Sequence, residues 1–534
     1  MSRERLYLYD TTLRDGAQTQ GVDFSLEDKW VIAEQLDLLG IDYIEAGYPG
    51  ANPIDTALFA ERRSLKAASL CAFGMTKRPG RSLANDPGFQ ALLEADASAV
   101  CLVAKAWDFH VEVALGISPE ENLQGIKESI EAVVAKGREA LLDSEHFFDG
   151  YKANPDYALA CAKTAYDAGA RWIVLCDTNG GSLPYEIEAI VSEVVKHIPG
   201  DRLGIHTHND TDNGVANSLA AVRAGVRQIQ GTLNGLGERC GNANLTSIIP
   251  TLMLKSDFAD RFESGVTPDK LRTLTHASRV LDEVLNRSPN RHAPYVGEAA
   301  FAHKGGIHVS AVQKDSRTYE HVPPEATGNS RRMLVSDQAG RSNILAELER
   351  IGIAIPKDDS RIARLLDEVK QREAYGYAYE AADASFALLA KRTLGNVPQF
   401  FDVDSFRVLV ERRHNALGDL VTISEATVKV RIDGQTVMSV GEGNGPVNAL
   451  DNALRKDLGP YQGFIDDLEL VDYKVRILTG GTDAVTRVLI ESRDGEGNRW
   501  HTVGVSPNIV DASFEALLDS INYKLLRDGA VMAS

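Results

Sequence analysis

Two histidines spaced i, i+2, His206 and His208, sit in an extended run, LGIHTHN (203–209). On a strand such residues point to one side, so both imidazoles reach a common point. Asp15 lies in DTTLRDG (10–16) and Asn242 in NGLGERCGNA (234–243). Two ring nitrogens with a carboxylate and an amide oxygen suit a divalent cation such as Mn²⁺, Mg²⁺, Co²⁺ or Zn²⁺. No thiolate is needed, which weakens the case for structural zinc, and Cys240 reads as a non-ligand. Alone, the H-x-H pair reads equally well as two hydrogen-bonded rim histidines; Asp15 and Asn242 shift the balance to a metal. Arg14 sets a fixed positive charge beside Asp15, and two adjacent cations stabilise an enolate or alkoxide as it forms. The alternative for Arg14 is an ion pair with Asp10 or Glu45. Glu145 and Thr178 offer a carboxylate and a hydroxyl that position a second substrate or a water; the plainer alternatives are a salt bridge and a helix cap. The loop GEGNGP (441–446) has the glycine spacing of a phosphate cradle. It follows no βαβ unit and no Lys-Ser/Thr comes after it, so it reads as a structural turn.

These residues must be brought together by the elements that carry them. Candidate strands are 6–13, 43–49, 69–75, 99–105, 139–147, 172–178, 203–209 and 228–236, with helical spacing between them at 26–40, 118–137 and 155–170. Ser25 is a plausible N-cap and Gly40 a C′ residue for the first helix. Strand and helix alternating eight times in about 255 residues predict a (β/α)8 TIM barrel. Arg14, Asp15, Tyr48, Lys105, Glu145, His146, Asp177, Thr178, His206, His208, Asn209, Asn234, Glu238 and Asn242 all fall at or after the C-terminal ends of these strands. Buried barrel strands are apolar along their length, so this polar set marks the mouth where barrel active sites sit.

The chain then changes character. The predicted division is a barrel over 1–275, helical linker subdomains over 276–395 and a C-terminal α+β domain over 396–534. Within the linker, 361–392 reads as a long helix broken near Gly376. The last part repeats a βββα order, with Gly441 and Gly504 at matching places, each followed by a proline and an apolar helix.

Composition narrows the function classes. With 57 Lys+Arg against 76 Asp+Glu, the net charge of −19 leaves no basic face for nucleic acid or an anionic membrane. No apolar run approaches the ~20 residues of a membrane span. Five scattered cysteines without a C-x-x-C pair suggest reduced thiols and a cytoplasmic location.

DTTLRDG (10–16), IEAGYP (44–49), HTHND (206–210) and NGLGERCGNA (234–243) together resemble the isopropylmalate, homocitrate and citramalate synthase family. GGIH (305–308) and GNGPVNAL (443–450) carry the resemblance nearly to the end of the chain. DGAQTQGVDFS (15–25), YPGANPID (48–55) and FFDGYKANPDYA (147–158) look most like its citramalate branch. The resemblance implies a Claisen-type condensation of acetyl-CoA with a 2-oxo acid, pyruvate favoured, followed by thioester hydrolysis. It implies metal ligands Asp15, His206 and His208, with Asn242 on or near the ion, and substrate contacts from Arg14, Asp15, Glu145 and Thr178. It implies catalytic roles for Arg14, Glu145, His308 and its tyrosine partner Tyr319, with His308 and Glu145 both open as the proton-abstracting base. A homodimer and a C-terminal regulatory, amino-acid-binding domain, with isoleucine as the natural effector of isoleucine biosynthesis, are implied too. One departure stands out: the family often has Glu-Asp-Ala after strand five, where this chain has Glu145-His146-Phe147.

Competing expectations are the same chemistry on 2-oxoisovalerate or 2-oxoglutarate, since a few methylenes separate such substrates by only ~1–3 kcal/mol. A lyase running the reverse cleavage is another; the C-terminal domain argues against it. A non-catalytic amino-acid sensor is the third, and the intact set of mouth residues argues against that.

Overall fold

A computed structural model describes residues 3–61, 63–333, 340–395, 397–414, 416–481 and 484–531. The chain divides into two compact units, 1–301 with 322–331, and 302–321 with 332–534. The boundary expected at 396 falls on a residue outside those described.

In the first unit, eight parallel strands close a barrel: β1 (Tyr7–Asp10), β2 (Tyr43–Gly47), β3 (Ser69–Met75), β4 (Ala99–Lys105), β5 (Glu139–Glu145), β6 (Trp172–Asp177), β7 (Leu203–Thr207) and β8 (Gln228–Gly231). The predicted TIM barrel is present, with the predicted strands in sequence order around it. Helix α1 (Leu26–Leu39) shows how local sequence sets the boundaries. Ser25 and Asp28 form a reciprocal capping box, and Gly40 stops the helix in the left-handed region at φ 95°. Trp30, Ile32, Ala33, Leu36 and Leu39 are buried on its inner face.

The barrel interior is filled, not hollow. Tyr9, Tyr43, Cys71, Cys101, Leu141, Trp172, Val174 and Cys176 pack together as a buried cluster. Such layers make a core that holds the mouth rigid. Polar groups appear higher up, where Glu45, Asp143, His206 and Gln230 are buried on β2, β5, β7 and β8.

In the second unit, a short helix α2 (Gly306–Lys314) precedes α3 (Arg341–Arg350), α4 (Arg361–Tyr375) and α5 (Asp383–Leu394). The break expected near Gly376 is the end of α4. Two three-stranded antiparallel sheets follow, β9 (Asp402–His414), β10 (Leu420–Ile432), β11 (Gln435–Gly443) and β12 (Glu469–Ile477), β13 (Thr486–Arg493), β14 (Arg499–Ser506). Helix α6 (Pro446–Arg455) covers the first sheet and α7 (Ile509–Arg527) the second, where α5 also packs against β14. The paired glycines have a common reason. A Cβ on Gly441 would lie 2.5 Å from the Ala453 amide nitrogen, and one on Gly504 would lie 2.0 Å from the Ala512 carbonyl. Both helices rest backbone-to-backbone on their sheets, which only glycine permits. Pro446 occupies the first turn of α6, so the GEGNGP run serves as the structural turn expected of it.

Candidate active site

Arg14 and Asp15 follow β1 in a tight turn held by Asp10. The Asp10 carboxylate accepts from the Thr12 amide at 2.8 Å and from its hydroxyl at 2.9 Å. Burial pushes Asp10 up to about 7 against these hydrogen bonds. The turn brings Asp15 over the barrel axis, where its Oδ2 lies 3.3 Å from His206 Nε2. Asp15, His206 and His208 are buried, and one ligand atom from each lies within 4.8 Å of the others. Asn242 donates its Nδ2 to Asp15 Oδ2 at 2.7 Å, while its Oδ1 is buried without a partner among the described residues. All four residues named from sequence as ligands therefore converge.

The electrostatics fit a cation. Burial works against the Asp15 anion, but Arg14, the two imidazoles and the Asn242 amide outweigh it and hold the carboxyl at about 2. Burial and the neighbouring His206 lower His208 to about 4, so near neutral pH its ring is uncharged. The Nδ1 of His206 faces Gln230 Oε1 at 2.9 Å. An amide oxygen only accepts, so that nitrogen carries a proton and Nε2 is the ring atom left facing Asp15. A carboxylate oxygen and a ring nitrogen 3.3 Å apart, with an orphaned amide oxygen beside them, are a donor set that a divalent ion would satisfy.

Arg14 sits on the flank of this group. Its Nε donates to Glu45 at 2.6 Å, one Nη lies 3.5 Å from Asp15, and the guanidinium stacks 3.8 Å from the Phe73 ring centre. The ion pair with Glu45 foreseen as an alternative is real, whereas Asp10 is occupied by Thr12. Clamping the Nε edge on Glu45 turns the terminal nitrogens toward Asp15, the side on which an anionic ligand at the mouth would meet them. Glu45 is itself held by Tyr9, whose hydroxyl donates to it at 2.7 Å.

Glu145 ends β5 and pairs with Lys105 of β4. With Met75, Lys77, Val103, Ile117 and Asn122 among others they line a cavity of about 60 Å³. Thr178 accepts the His146 amide at 2.8 Å through its hydroxyl. His146 adopts φ 56° and its ring lies tilted against His110 with ring centres 4.1 Å apart, beside Trp107. The residue that departs from the family pattern thus forms an aromatic wall next to Glu145. His308, on α2, belongs to the second unit. It is exposed and packs on Tyr319 at 4.2 Å between ring centres, so the pair named from sequence does meet.

Residues 5–277 match the HMGL-like family, 295–375 the homocitrate synthase post-HMGL domain-like family and 380–525 the LeuA allosteric (dimerisation) domain. An (R)-citramalate synthase of Geobacter sulfurreducens is 51% identical over 99% of both chains. The chain belongs to the (R)-citramalate synthase family. Further (R)-citramalate synthases, from Aquifex aeolicus and a Synechocystis strain, are each 49% identical, over 98% of both chains and over 97% of this chain and 96% of the relative.

Within this family barrel some mouth residues turn elsewhere. Asn234 donates to Ser278 and Asp282 of a neighbouring helix, and Glu238 points outward beside Arg239. Sequence reasoning missed Arg239, which donates to Thr178 O at 2.7 Å, to Asp210 at 2.8 Å and lies 3.2 Å from His208 Nδ1. It also missed Asp143 and Gln230, although a carboxylate or amide in mid-strand was a visible signal. Gly237 adopts φ 153°, and a Cβ there would lie 2.2 Å from Asn242 Oδ1. Gly237→Ala should displace the Asn242 amide and weaken divalent-metal binding at least tenfold, with the fold intact; metal titration and circular dichroism check this.

Proposed function

We propose that the chain condenses acetyl-CoA with pyruvate and hydrolyses the thioester, giving (R)-citramalate and free CoA. The observation that carries this reading is the Arg14 guanidinium held beside the Asp15–His206–His208 group at the mouth of the barrel. Relatives bearing the (R)-citramalate synthase name across the whole chain support it.

A divalent ion on Asp15, His206, His208 and Asn242 would supply Lewis-acid polarisation of the keto group. Arg14 places fixed positive charge where the keto oxygen becomes an alkoxide. A base removes a methyl proton from acetyl-CoA, and the enolate carbon attacks the keto carbon. The carbonyl electron pair moves to oxygen and is protonated to a tertiary alcohol. Water then cleaves the thioester, releasing the CoA thiol. The base is either Glu145 or His308, with Tyr319 the partner of His308 and Thr178 a substrate contact. The cavity next to Glu145 and Lys105 suits a small anion with a short apolar end.

The test is thiol release from acetyl-CoA with pyruvate, 2-oxobutyrate, 2-oxoisovalerate and 2-oxoglutarate in parallel, with and without chelator. Metal-dependent release strongest with pyruvate is expected. Preference for 2-oxoisovalerate or 2-oxoglutarate would replace the substrate and keep the mechanism.

The division of labour we propose is catalysis in 1–275, linker subdomains in 276–395 and regulation in 396–534. The match of 380–525 to a dimerisation domain supports a homodimer that responds to isoleucine. Sedimentation should give twice the 58.0 kDa chain mass, and isoleucine should lower the rate. A monomer indifferent to isoleucine would contradict this. Among the described residues no helix is long and apolar enough to cross a membrane, and Cys71, Cys101, Cys161, Cys176 and Cys240 form no disulfides. Both fit the cytoplasmic location we assign, which cell fractionation tests.

A further inference from the structure

Three buried side chains from three barrel strands form one chain of hydrogen bonds below the mouth. Asp143 projects from β5, Gln230 from β8 and His206 from β7. Gln230 Nε2 donates to Asp143 Oδ1 at 3.1 Å, and Gln230 Oε1 lies 2.9 Å from His206 Nδ1. Gln230 is fully buried, with Asp143 and His206 nearly so. Every link has a direction. The Gln230 amide turns its nitrogen to an Asp143 oxygen and its oxygen to His206. That oxygen in turn requires the proton on His206 Nδ1.

We propose that Asp143 and Gln230 are positioning residues for the metal centre, acting through the tautomer and ring angle of His206. The relay holds the Nδ1 proton on the Gln230 side and leaves Nε2 as the nitrogen turned toward Asp15 Oδ2, 3.3 Å away. This rests on the metal reading of Asp15, His206 and His208, and goes beyond it by assigning the groups that prepare a ligand. A neutral amide between the carboxylate and the imidazole has a further consequence. It transmits orientation without placing the Asp143 charge directly on the ring. Supporting groups of this kind usually change metal affinity by about 10–100-fold when removed.

Gln228 provides an internal comparison. It lies two residues earlier on β8, on the same face, is equally buried, and neither end of its amide has a partner among the described residues. A polar residue that merely fills the barrel should behave like Gln228; one that orients His206 should not.

The test titrates metal-free protein with Co²⁺, following visible absorption for both affinity and coordination. Gln230→Met should weaken binding about 10–100-fold and alter the Co²⁺ bands, with thermal unfolding little changed. Gln228→Met should bind Co²⁺ like the parent. Gln230→Glu combined with Asp143→Asn rebuilds the same chain, because the new amide at 143 donates and the new carboxylate at 230 accepts from Nδ1. That pair should recover most of the lost affinity. Parent-like affinity in Gln230→Met would overturn the relay alone. So would an equal loss in Gln228→Met, or a swapped pair no better than Gln230→Met. A parent protein that binds no Co²⁺ would overturn the metal centre itself, and the relay with it.

Discussion

Arg14→Met should lower turnover about a thousandfold while leaving the protein able to bind metal. Losing one preorganised donor to a developing oxyanion costs about 10²–10³ in rate, and a charged donor falls at the upper end. The same substitution strands Glu45. Burial already raises the Glu45 carboxyl, and Arg14 is the largest influence pulling it back. Without Arg14, Glu45 is a buried carboxylate left, among the described residues, with the Tyr9 hydroxyl as its hydrogen-bond donor, a situation that costs roughly 3–5 kcal/mol. The sign with pH follows. A carboxyl whose folded pKa is raised stabilises fully below its unfolded value near 4.3 and loses that stability as pH rises. Arg14→Met should therefore be destabilised more at pH 8 than at pH 5. Adding Glu45→Gln should restore stability and remove the pH dependence without restoring turnover. Urea unfolding at both pH values and steady-state thiol release separate the two roles. Arg14→Lys should also be slow, because an ammonium cannot hold Glu45, Phe73 and the substrate side in one plane.

Asp15→Asn should abolish tight metal binding and reduce thiol release about a thousandfold or more. A metal ion contributes several kcal/mol of charge stabilisation, and each 1.36 kcal/mol is tenfold in rate. An amide offers no anion to balance a divalent charge beside Arg14. The metal-free parent carries a second signature. Its Asp15 carboxyl is lowered to about 2, so its ionised form adds about 2–3 kcal/mol of stability. That contribution is complete above the unfolded value near 3.9 and is lost as pH falls through about 2. Asp15→Asn should lack this acid-side component in unfolding experiments. Metal analysis after dialysis, with rates at saturating Mn²⁺, checks the main effect.

The sequence made the barrel and most of its mouth legible because both are written in local terms. Alternating strands and helices, the H-x-H pair and the DTTLRDG turn each report on nearby residues. Six of the eight strands read too long at their C-terminal ends, for a reason that belongs to the site. The run read as 228–236 leaves the ladder after Gly231, where a turn with Asn234 at φ 58° begins the loop that carries Asn242. Asp10 ends β1 in the same way by capping Thr12. What stayed hidden depends on closure of the barrel. Asp143 and Gln230 meet across strands that are far apart in sequence, and nothing near either residue announces the other. Asn234 and Asn242 look alike in sequence, yet one ties the loop to a helix and the other reaches Asp15. The His308–Tyr319 contact joins two residues of a segment that looks unlike any barrel repeat.

The most direct test of the central claim is carbon-13 NMR of [2-¹³C]pyruvate mixed with acetyl-CoA and the Mn²⁺-loaded protein. Formation of citramalate predicts that the ketone carbon signal is replaced by a tertiary alcohol carbon, with one CoA thiol released per molecule converted. Chelator or Asp15→Asn should stop both together. An unchanged ketone signal in protein shown to hold its metal would contradict the account, as would thiol release without the new carbon–carbon bond.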